Sequence, residues 1–186
     1  MWAVENPQSG AMASAFSKKR LEKLTGSQYA LLRDLTGEAT VDAASLERVV
    51  AGIVSDRFEM ARGFIKAARV LRNSADPIIQ RSAVSRAYYG AYQAARATFF
   101  SITRQDEGDH EKLGREIDSI KDIPGSPGAT LKELRRLRNE FDYSPYPGAD
   151  PRTPYGARAM KDTIGASVRM ADGLIRLFAR HLKERR

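Results

Sequence analysis

RSAVSRAYYGAYQAARATFF, residues 81–100, holds three tyrosines, three arginines and two phenylalanines. Read at 3.6 residues per turn, it separates into distinct faces. Val84, Tyr88, Ala91 and Ala95 recur at i, i+4, i+7 and i+11, the spacing of a core stripe. Ser85, Tyr89, Tyr92 and Arg96 form a neighbouring stripe, with Arg86 and Gln93 beside it. Ala87, Gly90 and Ala94 add small residues that let a second helix come close. The segment is therefore a long helix with one apolar side and one side of rings and cations.

The flanking chain repeats the helical pattern. Leu46, Val50, Ile53, Ala61, Phe64, Ile65, Ala68 and Leu71 predict a helix to about Asn73, with Asp42 as its cap. SADP at 74–77 is a turn, and Pro77 suits the first turn of the helix that runs to about Ile102. RQDEGD at 104–109 reads as a polar loop or frayed end, followed by a short helix over about 110–120. PGSPG at 124–128 is a break, after which Thr130 is expected to cap a helix ending near Tyr143. SPYPGADPRTP is a loop, because its four prolines fit neither helix interior nor central strand. Met160, Ile164, Val168, Ala171, Ile175, Phe178 and Leu182 line one face of a last helix over about 157–183. A further helical pattern spans about 14–35 and stops at Gly37. No segment alternates with period two. The expected fold is all-α: an up-and-down bundle of four or five helices over residues 46–186, with a partly helical, partly mobile extension over 1–45.

At 186 residues the chain can bury one substantial core. The absence of cysteine excludes disulfides, thiolate metal sites and cysteine nucleophiles. No apolar run reaches the ~20 residues of a membrane span, and the first residues lack the basic start and apolar stretch of a signal peptide. The expected location is the cytoplasm. The net charge of +8 is concentrated after residue 80, where 20 basic side chains face 14 acidic ones. An anionic partner would be drawn there.

A second cluster, LRRLRNEFDYSP at 134–145, places Arg135, Arg138 and Asp142 on one helix face. Arg138 and Asp142, four apart, fit a solvated ion pair; they equally fit an arginine held by a carboxylate so that its other donors meet a phosphate. Two histidines are present. His181, in the basic tail ARHLKERR, reads as a solvated surface residue, and His110 as the start of the short helix. Glu107 and His110 make one E-x-x-H, but a di-iron site needs two of these plus further carboxylates, so no metal or other cofactor is expected.

Together SRAYYGAYQAAR, the isolated His110, LRRLRNEFDYSP and the long final helix resemble the HEPN superfamily, over about residues 55–183. The closest likeness is to its small stand-alone prokaryotic members. That resemblance implies a helical bundle that dimerises with its polar motif face near the dimer groove. It matches Arg138 to the family arginine, Asn139 to the polar residue after it, Asp142 and Tyr143 to the D-Y pair, and Ser85, Arg86, Tyr88 and Tyr89 to the SRAYY helix. Many members are metal-independent ribonucleases, often toxins. They use an arginine and a histidine separated by four to six intervening residues. Others lack that motif and partner minimal nucleotidyltransferases or bind nucleotides.

This chain departs from the ribonuclease pattern. The histidine positions after Arg138 hold Tyr143, Ser144 and Pro145, and those after Arg135 hold Glu140, Phe141 and Asp142. Three functions are compatible with the residues. The leading one is a dimeric nucleotide- or RNA-binding module, with Arg86, Tyr89, Arg135, Arg138, Asn139, Asp142 and Tyr143 in its groove and a nucleotidyltransferase or antitoxin as partner. A second is a ribonuclease in which Arg138 stabilises the transition state and Tyr143 or His110 replaces the missing base. In the third, a purely structural bundle, Arg138–Asp142 is an internal clamp.

Overall fold

The computed structural model describes Lys23, Gln28 and residues 43–185 other than 148, 149 and 151. Over residues 43–185 the described residues form five helices in order: α1 (Ala43–Leu71), α2 (Pro77–Thr103), α3 (His110–Asp118), α4 (Pro127–Tyr143) and α5 (Pro154–Glu184). There is no strand among the described residues, so the fold is all-α. The helical pattern over 14–35, the Gly37 stop and the Asp42 cap lie outside the described residues apart from Lys23 and Gln28, as does most of the 1–45 extension.

Ion pairs and hydrogen bonds between ends give the helix directions. Glu47 near the start of α1 pairs with Arg104, just beyond the end of α2, so these two helices are antiparallel. Arg81 at the start of α2 reaches the carbonyls of Phe141 and Ser144 at the end of α4. One turn further along α2, Ser85 meets Asp142, and another turn on Tyr89 meets Arg138, so α2 and α4 are also antiparallel. Leu182 and Arg185 at the end of α5 share a groove with Val50 of α1 and Ile102 of α2. With α3 leaning on α4, the arrangement is an up-and-down bundle built around α2.

The core follows the apolar stripes. Val84, Tyr88, Ala91 and Ala95 are buried, as are Leu46, Val50, Ile53, Ala61, Ile65 and Ala68 of α1 and Met160 through Phe178 of the α5 stripe. The small residues of α2 do allow close approach. A Cβ on Gly90 would sit 3.1 Å from the Ala61 carbonyl oxygen. No helix among the described residues is long and apolar enough to cross a membrane.

Several local expectations change. Thr130 does not cap α4. The helix begins at Pro127, and the Asp118 carboxylate, coming from α3, accepts from Gly128 N at 2.7 Å and does the capping. Proline fits that first turn because its missing N–H would be an orphan there anyway. The last helix likewise starts earlier, at Pro154, with Thr153 Oγ1 accepting from Gly156 N at 3.0 Å. His181 is buried rather than solvated, being 5% exposed. It lies three residues after Phe178 and so continues the apolar stripe, while Arg180 and Lys183 point elsewhere.

Candidate functional site

The ring-bearing side of α2 and the arginine side of α4 face each other, and one turn at a time they make matched contacts. Arg81 Nε and Nη2 donate to the Phe141 carbonyl at 2.8 and 2.5 Å, and Nη2 also to the Ser144 carbonyl. These carbonyls at the end of α4 have no partner within their own helix, so Arg81 satisfies them and fixes the exit of α4. Sequence reasoning missed this residue, although its place one turn before Ser85 on the same stripe was the available signal.

Ser85 Oγ donates to Asp142 Oδ1 at 2.5 Å. Arg138 Nε lies 2.8 Å from Asp142 Oδ2, an ion-pair contact that misses hydrogen-bond geometry. Arg138 Nη1 donates to Asn139 Oδ1 at 2.9 Å, and Nη2 to Tyr89 Oη at 3.3 Å. The guanidinium carbon also lies 5.8 Å from the Tyr89 ring centroid and 5.4 Å from that of Tyr143. Burial alone would lower the Arg138 pKa, but Tyr89, Asp142 and Tyr143 outweigh it and hold the value above its usual range. Arg138 is thus a fixed cation, oriented from several sides, with its side chain still 23% exposed.

His110 joins this cluster from α3. Its Nδ1 lies 2.5 Å from Tyr88 Oη, and its ring stacks on Tyr92 with centroids 4.1 Å apart. Tyr89 meets it edge-on at 6.3 Å. One tyrosine, Tyr89, therefore links the imidazole to Arg138. Burial, together with the positive charges of Arg135 and Arg138, lowers the His110 pKa from its usual 6.5, so the ring is neutral near neutral pH. Burial likewise raises the Tyr88 and Tyr92 pKa values, which keeps both hydroxyls protonated.

The loop that delivers His110 is not frayed. Asp106 is clamped by Arg57 Nη2 at 3.0 Å and by the Arg96 fork. Tyr92 Oη donates to the Gly108 carbonyl at 2.9 Å. Asp109 caps α3 by accepting from Glu111 N and Lys112 N. Tyr92 and Arg96 therefore hold the loop rather than extend the stripe of Ser85 and Tyr89 into the groove.

The remaining candidates divide. Asn139 and Tyr143 border Arg138, both exposed. Arg135 lies one turn before Arg138 on α4, 3.7 Å from Glu111 Oε2. Arg86 turns toward α1 instead, with its guanidinium 5.8 Å from the Phe64 ring centroid. Glu107 accepts from Asp109 N and pairs with Lys112, and no cluster of three metal-ligating side chains occurs among the described residues.

Arg135 and His110 also line a groove of about 290 Å³ between α3 and α4. The helices can sit this close because residue 128 is glycine, where a Cβ would overlap the Gly114 carbonyl oxygen and press on the Asp118 carboxylate. No family model, curated protein or solved structure matches the chain.

Proposed function

We propose that this chain is a HEPN-type helical module that binds the phosphate of a nucleotide or RNA. The observation that carries it is Arg138, held by Asp142, Asn139 and Tyr89 between two aromatic rings while its side chain stays partly exposed. A guanidinium has five N–H donors, and a fork fixed in this way can turn the unspent ones toward phosphate oxygens at small entropic cost. The exposed Tyr143 ring offers a stacking face for a base. Ile78, Ile79, Tyr143 and Tyr155 expose apolar surface where α2 and α5 begin and α4 ends, which supports a homodimer at that end of the bundle. The protein partner of this reading is a nucleotidyltransferase.

A thermal-shift measurement with AMP and ATP tests it. Wild type should be stabilised by the nucleotide, and Arg138→Ala should fold yet show no shift. An equal shift in the variant sinks the proposal. A large loss of melting temperature in Arg138→Ala with no ligand effect in wild type would favour the purely structural clamp. A monomer by light scattering at micromolar concentration would remove the dimer.

His110 favours a second reading, a metal-independent ribonuclease. A neutral imidazole beside two arginines has the protonation state a general base needs near pH 7. In that chemistry His110 Nδ1–H donates to Tyr88 Oη, the 2′-oxygen passes its proton to the Nε2 lone pair and attacks the adjacent phosphorus, and the bond from phosphorus to the 5′-oxygen breaks as that oxygen takes a proton from water. Labelled structured RNA incubated in EDTA separates the two readings. Cleavage by wild type that is lost in both Arg138→Ala and His110→Ala establishes the nuclease; intact RNA at high protein concentration leaves the binding module.

A further inference from the structure

The groove between α3 and α4 opens beside the Arg138 cluster and has its own cations. Lys132, Arg135 and Arg115 line it, with His110 at its edge. Lys132, Arg135 and Arg138 follow each other at three-residue steps, a row about 9 Å long at 1.5 Å per residue. Such a row winds around its helix, so it leads from the α3 groove at Lys132 to the α2 face at Arg138. One phosphate cannot occupy that length.

The carboxylates in the groove leave those cations available. Asp118 is occupied by Gly128 N at 2.7 Å. Glu111 is shared between Arg115 at 3.3 Å and Arg135 at 3.7 Å, two long and exposed contacts. Exposed pairs of this kind contribute little. Lys132 has no carboxylate partner among the described residues. The floor at Gly114, Gly128 and Ala129 carries almost no side chain, so a sugar can lie against it.

We propose that this groove is a second phosphate subsite, continuous with the first, and that the ligand is a single-stranded RNA rather than a mononucleotide. The strand runs along α4, with one phosphate at Arg138 and those that follow at Arg135, Lys132 and Arg115, where they displace Glu111. This inference rests on the Arg138 cluster being a phosphate site.

The test is fluorescence anisotropy with a labelled single-stranded oligoribonucleotide, beside AMP binding followed by thermal shift. The proteins are wild type, Arg138→Ala, Glu111→Gln and the double variant Arg115→Ala with Lys132→Ala. The double variant should lose about tenfold in RNA affinity and show a shallower salt dependence, by about one unit of slope per lost contact. Its response to AMP and its melting temperature should not change. Glu111→Gln should bind RNA more tightly, because a competing carboxylate is gone. RNA binding unchanged in the double variant, or AMP binding lost with it, overturns the subsite. If Arg138→Ala alone abolishes binding, the first site stands even though the groove fails. If wild type binds neither RNA nor AMP, the first reading fails and takes the groove with it.

Discussion

Tyr88 Oη and His110 Nδ1 lie 2.5 Å apart, joining the middle of α2 to the first residue of α3. Tyr88 is 3% exposed, and its hydroxyl is the one polar atom that this core residue offers to the site. The bond fixes the plane of the imidazole against Tyr92 and leaves Nε2 as the nitrogen turned away from the contact. Tyr88→Phe keeps the ring and removes only the hydroxyl, leaving Nδ1 half-buried without its partner. Stability should fall by about 1–2 kcal/mol, the cost of an unsatisfied buried polar group. Urea unfolding measures it. An unchanged midpoint would mean that the hydroxyl does not hold the ring.

His110 also sets a pH dependence. Burial, Arg135, Arg138 and Arg96 disfavour its protonated form, and Asp109 only partly opposes them. Its folded pKa therefore lies below the usual 6.5, and the unfolded state takes up a proton first as pH falls. The stability that depends on the neutral ring is complete above the unfolded value. It starts to fall as pH drops through that value and levels off below the folded pKa. Between about pH 7.5 and about pH 5.5 the wild type should lose more stability than His110→Gln. Parallel urea titrations at both pH values check this. Equal losses would assign the slope to other groups.

Stripe periodicity made most of the bundle readable, because burial on one face leaves a mark every three or four residues. The α5 stripe from Met160 to Phe178 and the Tyr88 stripe of α2 lie where the sequence placed them. Ser85, Tyr89, Arg138 and Asp142 were also legible, since both motifs keep helical spacing and their helices cross in register. What stayed hidden joins separate elements. Asp118 caps a helix that starts nine residues later, and Arg81 satisfies carbonyls of α4, sixty residues away for Phe141. No local pattern encodes such pairings. The loop 104–109 reads from sequence as a polar loop or frayed end for the same reason: its acidic composition does not show that Arg57 and Arg96 hold Asp106 from two helices.

Asp106 carries that tie. The Arg57 side chain is 6% exposed and the Asp106 side chain 11%. Asp106→Ala removes the carboxylate that compensates a nearly buried guanidinium, and should cost about 3 kcal/mol. Because the loop delivers His110, its stacking on Tyr92 should loosen as well. Combining Asp106→Ala with Arg57→Met replaces the buried charge with an apolar chain and should recover part of the loss. Chemical denaturation of both single variants and the double gives the coupling energy. Strict additivity would show that the two side chains do not act as a pair.

His181 supplies an opposite case, a buried polar group whose removal should help. It is 5% exposed on the apolar stripe of α5, and its Nε2 finds no hydrogen-bond partner among the described residues. A buried nitrogen that gives up water without a replacement costs about 1–3 kcal/mol. Leucine has a favourable helix propensity and fills a comparable space without that penalty. His181→Leu should therefore raise the melting temperature by several degrees, ~1 kcal/mol being worth about 2–4 °C in a chain of this size. The proposed response to AMP should be unaffected, since the Arg138 contacts to Asn139, Tyr89 and Asp142 lie on α2 and α4. A lower melting temperature would mean that Nε2 is hydrogen-bonded in solution.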